Sequence, residues 1–97
     1  MSFIQIIEFD AADLDKVRDV DRQWKDATTG KRTARRQIIA QDHGRPGRYV
    51  VFVFFDSYES AMENSNLPET QRFAEMYGTV TRGTSFRDLD VVSDEPL

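Results

Sequence analysis

Two stretches of this chain are apolar at nearly every position instead of every second one: Phe3-Ile4-Gln5-Ile6-Ile7-Glu8-Phe9 and Tyr49-Val50-Val51-Phe52-Val53-Phe54-Phe55. A β-strand sends successive side chains to opposite faces, so strands of this kind need cover on both sides. The chain has 97 residues and only two helix-sized segments, enough to cover one side of a sheet. A second copy of the same chain is the simplest cover for the other.

The remaining segments fit around these two strands. Asp10 stands where a helix N-cap belongs, followed by Asp13 and by Asp15 in the first turn. Leu14, Val17, Val20, Trp24 and Ala27 then recur at steps of three and four, which predicts an amphipathic helix to about Thr28 with Gly30 as its stop. A mixed strand is expected over 34–42, and the turn-rich His43-Gly44-Arg45-Pro46-Gly47-Arg48 joins it to the second apolar strand as an antiparallel hairpin. Ser57 caps a helical turn, Pro68 suits the first position of a second helical piece, and Gly78 ends it. The last strand is placed at 85–92.

The order strand, helix, strand, strand, helix, strand predicts an α+β fold of the ferredoxin-like, split βαβ kind, with a four-stranded antiparallel sheet. Its spatial strand order, 4-1-3-2, puts the two doubly apolar strands in the centre. Residues 1–92 are expected to form a single domain, with 93–97 a flexible acidic tail. With 39% hydrophobic and 31% charged residues the chain has the make-up of a folded domain. A net charge of -4 argues against nucleic acid as a partner. The absence of cysteine excludes disulfides, thiolate metal sites and cysteine nucleophiles, and one histidine cannot build a multi-histidine site within one chain. No apolar run approaches the about 18 residues of a membrane span. Residues 1–4 lead into a strand pattern with no secretory signature, so a cytoplasmic protein with no membrane partner is expected.

The segment Phe54-Phe55-Asp56-Ser57-Tyr58-Glu59-Ser60-Ala61-Met62-Glu63-Asn64-Ser65, followed by Leu67-Pro68-Glu69-Thr70-Gln71-Arg72-Phe73, resembles the passage from strand three into an interrupted helix two in the dimeric α/β-barrel superfamily. Within it, the chain is similar to the antibiotic-biosynthesis-monooxygenase-like proteins. The resemblance implies a pocket between the sheet and its helices, and a homodimer formed by the sheets' other faces, a dimeric α/β barrel. Many such proteins are cofactor-independent oxygenases of aromatic quinols; others degrade haem or isomerise lactones. Helix two often supplies a histidine or a tryptophan in that family, but residues 61–77 contain neither. Haem degradation is thus disfavoured, and no cofactor is expected.

Several residues are candidates for a site. Trp24 lies on the apolar stripe of helix one, where it either packs in the core or lines a pocket with its indole N–H offered to a ligand. Gln5 interrupts a central strand, where a buried amide costs about 1–3 kcal/mol unless hydrogen-bonded. The family's pocket amide on strand one implies that Phe3, Gln5, Ile7 and Phe9 face the helices. Asn64 either points into the same cavity or ends a helical turn. Phe55 and Phe73 would line the pocket, or serve as ordinary core, and Tyr77 adds a phenolic donor. His43 is a candidate general base, or a solvated turn residue. The basic cluster Lys31, Arg32, Arg35 and Arg36 reads as a solvated face, as do Asp88 and Asp90.

Besides an oligomerising structural protein with a filled core, two functions are compatible with these residues. One is a cofactor-independent monooxygenase acting on an aromatic or polyketide-like substrate, with Trp24, Asn64, His43 and Tyr77 as catalytic candidates and Gln5, Phe55 and Phe73 binding the substrate. The other is a non-catalytic dimeric ligand-binding or stress-associated module using the same cavity for a small apolar or aromatic ligand.

Overall fold

The structure, a computed structural model, describes residues 2–97. Its elements are β1 (Phe3–Asp10), α1 (Leu14–Ala27), β2 (Arg36–Gln41), β3 (Arg48–Phe55), α2 (Tyr58–Ser65), α3 (Pro68–Val80) and β4 (Arg82–Asp90). The strands form one antiparallel sheet in the order β2-β3-β1-β4, so the two doubly apolar strands are central as expected. The fold is ferredoxin-like α+β, with the second helix of the plan divided in two. That division follows from Pro68, which has no N–H to continue a helix and holds Leu67 in extended backbone at φ -60 and ψ 133.

Helix α1 begins later than the acidic run at Asp10 suggests. Its N-cap is Asp13, whose Oδ1 accepts from the Asp15 N–H at 3.0 Å, while Asp10 remains in β1 opposite Arg48. At the other end Gly30 adopts a left-handed φ of 79°, which lets the chain fold back so that the Lys31 and Arg32 N–H groups donate to the Thr28 carbonyl. Gly78 does not stop α3. It is not among the glycines with positive φ, and two more residues bring Val80 against the core.

Strand β4 also departs from expectation, starting at Arg82 and ending at Asp90. All nine of its residues are exposed, so burial leaves no alternation in the sequence to mark its limits. A register shift between Glu8 and Asp10 accommodates its first residues, with Gly83 at a φ of 60°.

The molecule is 19 Å thick in its shortest dimension, the depth of one sheet and one helical layer. Phe3, Phe9, Val51, Val53 and Phe55 meet Val17 of α1 and Ala61 of α2 in a single core. Alternate residues of the same strands form the opposite face, where register pairs Ile4 with Phe54 and Leu89, and Phe52 with Ile6 and Ile38. Ile38 and Leu89 are exposed there, and at one margin Glu8, Asp10 and Arg48 pair among themselves. Arg48 donates to Glu8 at 2.8 Å and lies 3.2 Å from Asp10.

Candidate functional site

Between the helix-side face of the sheet and helices α1 and α3 lies a cavity of about 380 Å³. This volume falls within the roughly 300–1,000 Å³ of small-molecule sites. Its floor is Gln5, Ile7, Val51, Val53 and Phe55; Val17, Val20, Asp21 and Trp24 form one wall, and Asn64, Phe73 and Tyr77 the other. Phe86, 64% exposed on the uncovered strand β4, also lines it. A groove between α1 and α3 is larger, about 700 Å³, but it is an open surface channel bordered by Asp15, Lys16, Asp19 and Glu75.

Six of the seven residues singled out from the sequence line this cavity; the seventh does not. His43 is exposed in the β2–β3 turn and is not part of the lining. Trp24 is half-buried and forms part of the wall, but its indole N–H donates to Thr70 Oγ1 at 3.0 Å and is already engaged. The Arg32 guanidinium lies 5.8 Å from the centre of its ring.

Gln5 gains its partner across the sheet edge, donating from Nε2 to Asp88 Oδ1 at 3.3 Å, its register neighbour on β4. Asn64 is 6% exposed. Its Oδ1 accepts from the Thr33 backbone N–H at 3.2 Å and so ties α2 to the segment entering β2, while its Nδ2 has no protein partner among the described residues. The side chain therefore secures the backbone through its oxygen and leaves two amide donors unengaged among the described residues.

Tyr77 packs edge-on against Phe9, ring centres 5.5 Å apart. Burial, with a further contribution from the Asp21 charge, pushes its phenol above the usual range. In the neutral pH range it is a hydrogen-bond donor, not a base. Phe55 and Phe73 are buried and contribute apolar wall.

Five polar members of the lining were not among the candidates from the sequence: Asp21, Gln37, Ser65, Thr70 and Gln71. Asp21 stands four residues after Val17 and three before Trp24, on the apolar stripe itself, and that spacing was the available signal. Gln37 alternates with Ile38, which put it on the helix side together with Ile39. Gln37 Nε2 donates to Asp21 Oδ2 at 3.1 Å and so joins β2 to α1.

No protein-family model matches this sequence, and no curated protein matches it. Solved structures match in shape along nearly the whole chain. SnoaB of Streptomyces nogalater, a cofactor-independent oxygenase seen there as a single-site variant, superposes with a TM-score of 0.83 at 8% identity, covering 99% of this chain and 98% of that one. A Deinococcus radiodurans protein provisionally assigned as an antibiotic biosynthesis monooxygenase gives 0.77 at 11% identity, covering 98% and 97%. Rv0793 of Mycobacterium tuberculosis gives 0.69 at 18% identity, covering 99% and 100%. No helix among the described residues is long and apolar enough to cross a membrane. From end to end, the chain has the fold shared by the antibiotic biosynthesis monooxygenase-like proteins.

Proposed function

We propose that this chain is a cofactor-independent monooxygenase that oxidises a fused-ring, polyketide-like phenol in the cavity between sheet and helices, as a homodimer closed through the open sheet face. The observation that carries this reading is the cavity itself: apolar and aromatic over most of its lining, with a few convergent polar groups, in a chain with this fold. The dimer is supported by the apolar face of Ile4, Ile6, Ile38, Phe52, Phe54 and Leu89, on which no helix or strand among the described residues packs.

The reaction needs no group beyond substrate and oxygen. A phenol with a free para position loses its hydroxyl proton, and the resulting anion gives one electron to O₂. The radical pair then recombines at the para carbon as a C–O bond. Protonation gives a hydroperoxide, and loss of water leaves a para-quinone, so one phenol and one O₂ yield one quinone and one H₂O. The protein's part is to bind, orient and exclude water. Trp24, Phe55 and Phe73 hold the ring, Asn64 Nδ2 donates to a ring oxygen, and Tyr77 donates toward the peroxide.

Oxygen uptake with the enol of anthrone, corrected for uptake with heat-denatured protein, tests the reading. Equimolar O₂ consumption and quinone formation are expected, falling at least 100-fold when Trp24→Ala and Asn64→Ala are combined. Unchanged turnover in that double variant overturns the assignment of the site. Binding of anthrone with no oxygen uptake leaves the non-catalytic ligand-binding module as the function.

A further inference from the structure

Asp21 is the single charged residue among the described residues of the cavity lining. A carboxylate on the apolar stripe of a helix loses solvation, and such a position is kept only where partners or a ligand compensate. Its side chain is 14% exposed, and both protein partners sit on one oxygen. Oδ2 accepts from Gln37 Nε2 at 3.1 Å and lies 3.4 Å from Lys25 Nζ. Oδ1 has no protein partner among the described residues. Gln37 and Lys25 therefore fix the carboxylate from two sides while leaving one oxygen for something else. Tyr77 lines the same cavity, so its phenol and the Asp21 carboxylate face one space.

We propose that Asp21 Oδ1 is the proton acceptor of the cavity, taking the hydroxyl proton of a phenolic ligand while Gln37 and Lys25 hold the carboxylate through Oδ2. The assignment rests on reading the cavity as the ligand site. In the step, the ligand O–H bond breaks, the proton bonds to Oδ1, and the electron pair stays on the ligand oxygen and spreads into the ring. That anion is the electron donor to O₂. The proton held on Asp21 returns to the peroxide formed at the para carbon and leaves in the water. A carboxylate in this role also sets specificity. It favours ligands with a hydroxyl to give and repels aromatic acids, for which the lining offers no basic residue.

The test is anaerobic calorimetry with 1-naphthol and 1-methoxynaphthalene, which differ in the hydroxyl proton. The unaltered protein should bind the naphthol at least ten times more tightly than its ether. Asp21→Asn should bring the two within about twofold, because a neutral amide forms a weaker bond than a carboxylate. Tyr77→Phe should retain the preference. If Asp21→Asn does not fold, as judged by circular dichroism, Asp21→Leu removes every acceptor in a similar volume. The preference in the unaltered protein is read without either variant. A preference that survives loss of the carboxylate, or its absence in the unaltered protein when both compounds bind, overturns the proposal. If neither compound binds, the ligand site and Asp21's role fall together. Oxygen uptake separates the rest. A hydroxyl preference lost in Asp21→Asn without any uptake keeps Asp21 as acceptor and removes the oxygenase, whereas uptake unchanged in Asp21→Asn does the reverse.

Discussion

The two faces of the sheet are built from alternate residues of the same strands, yet they are finished differently. On the helix side, Phe3, Phe9, Val51, Val53 and Phe55 are closed by Val17 and Ala61, and the space left over is a cavity into which polar groups converge. On the other side, Ile4, Ile6, Ile38, Phe52, Phe54 and Leu89 make an apolar strip whose polar neighbours, Glu8, Asp10 and Arg48, satisfy one another at the margin. The first face is filled within one chain and keeps a few unpaired donors and acceptors around a cavity; the second is a broad apolar strip, flanked by Arg36 and Arg87, that lacks a cover. A face that binds a small molecule needs unspent hydrogen-bonding groups, while a face that binds its own copy needs area and shape.

The largest expected effect comes from breaking the second face. In the proposed dimer Phe52 is buried against the partner, so Phe52→Arg introduces an unpaired charge twice by symmetry, each costing about 3–5 kcal/mol. Sedimentation velocity should show a dimer of the 11.2 kDa chain converted to monomer at micromolar concentration. A monomer before substitution, or a dimer after it, breaks the contrast between the faces. On the helix side the corresponding loss is internal. Phe9 is fully buried between Tyr49 and Tyr77, and Phe9→Ala should cost about 3–5 kcal/mol in urea unfolding, whatever the protein concentration.

The fold was legible because burial on both faces is written into β1 and β3 as continuous apolar runs, and these fix the centre of the sheet. The division of α2 from α3 was legible in Pro68 for a local, covalent reason. Strand β4 was harder to delimit because none of its residues is buried, leaving pattern nothing to record. Within the cavity, Gln5 stood out as a polar residue in an apolar run, whereas Asp21 was hidden among the many charged residues of α1. Its register on the Val17 and Trp24 stripe mattered more than its charge. The capture of the Trp24 indole by Thr70 joins residues 46 apart, a pairing that no local spacing encodes.

A smaller effect separates the two duties of Asn64. Asn64→Leu removes the acceptor for the Thr33 N–H, and a buried donor left unmatched costs about 1–3 kcal/mol in urea unfolding. Asn64→Asp keeps an acceptor at that place and should recover most of the loss, while still weakening 1-naphthol binding because the two Nδ2 donors are gone. If Asn64→Asp binds 1-naphthol as tightly as the unaltered protein, Asn64 serves the backbone alone.

The mildest test asks whether the helix-side face is as dry as its packing implies. Burial raises the Tyr77 phenol above its ordinary value of 10.0 in the folded state. Below that pH both folded and unfolded chains hold the proton; above it the unfolded chain releases it first, so the unfolded state binds fewer protons and stability falls as pH rises. The slope from one such group is about 1.4 kcal/mol per pH unit until the folded phenol ionises. Urea midpoints measured between about pH 9 and 11 should therefore decline less steeply in Tyr77→Phe than in the unaltered protein. The two should coincide in slope at neutral pH, where the phenol is protonated in both states. Equal slopes throughout the alkaline range would mean that water reaches the Tyr77 hydroxyl freely. The cavity would then be no drier than the surface, and the distinction between an enclosed face and an open one would fail at the residue where it is drawn most sharply.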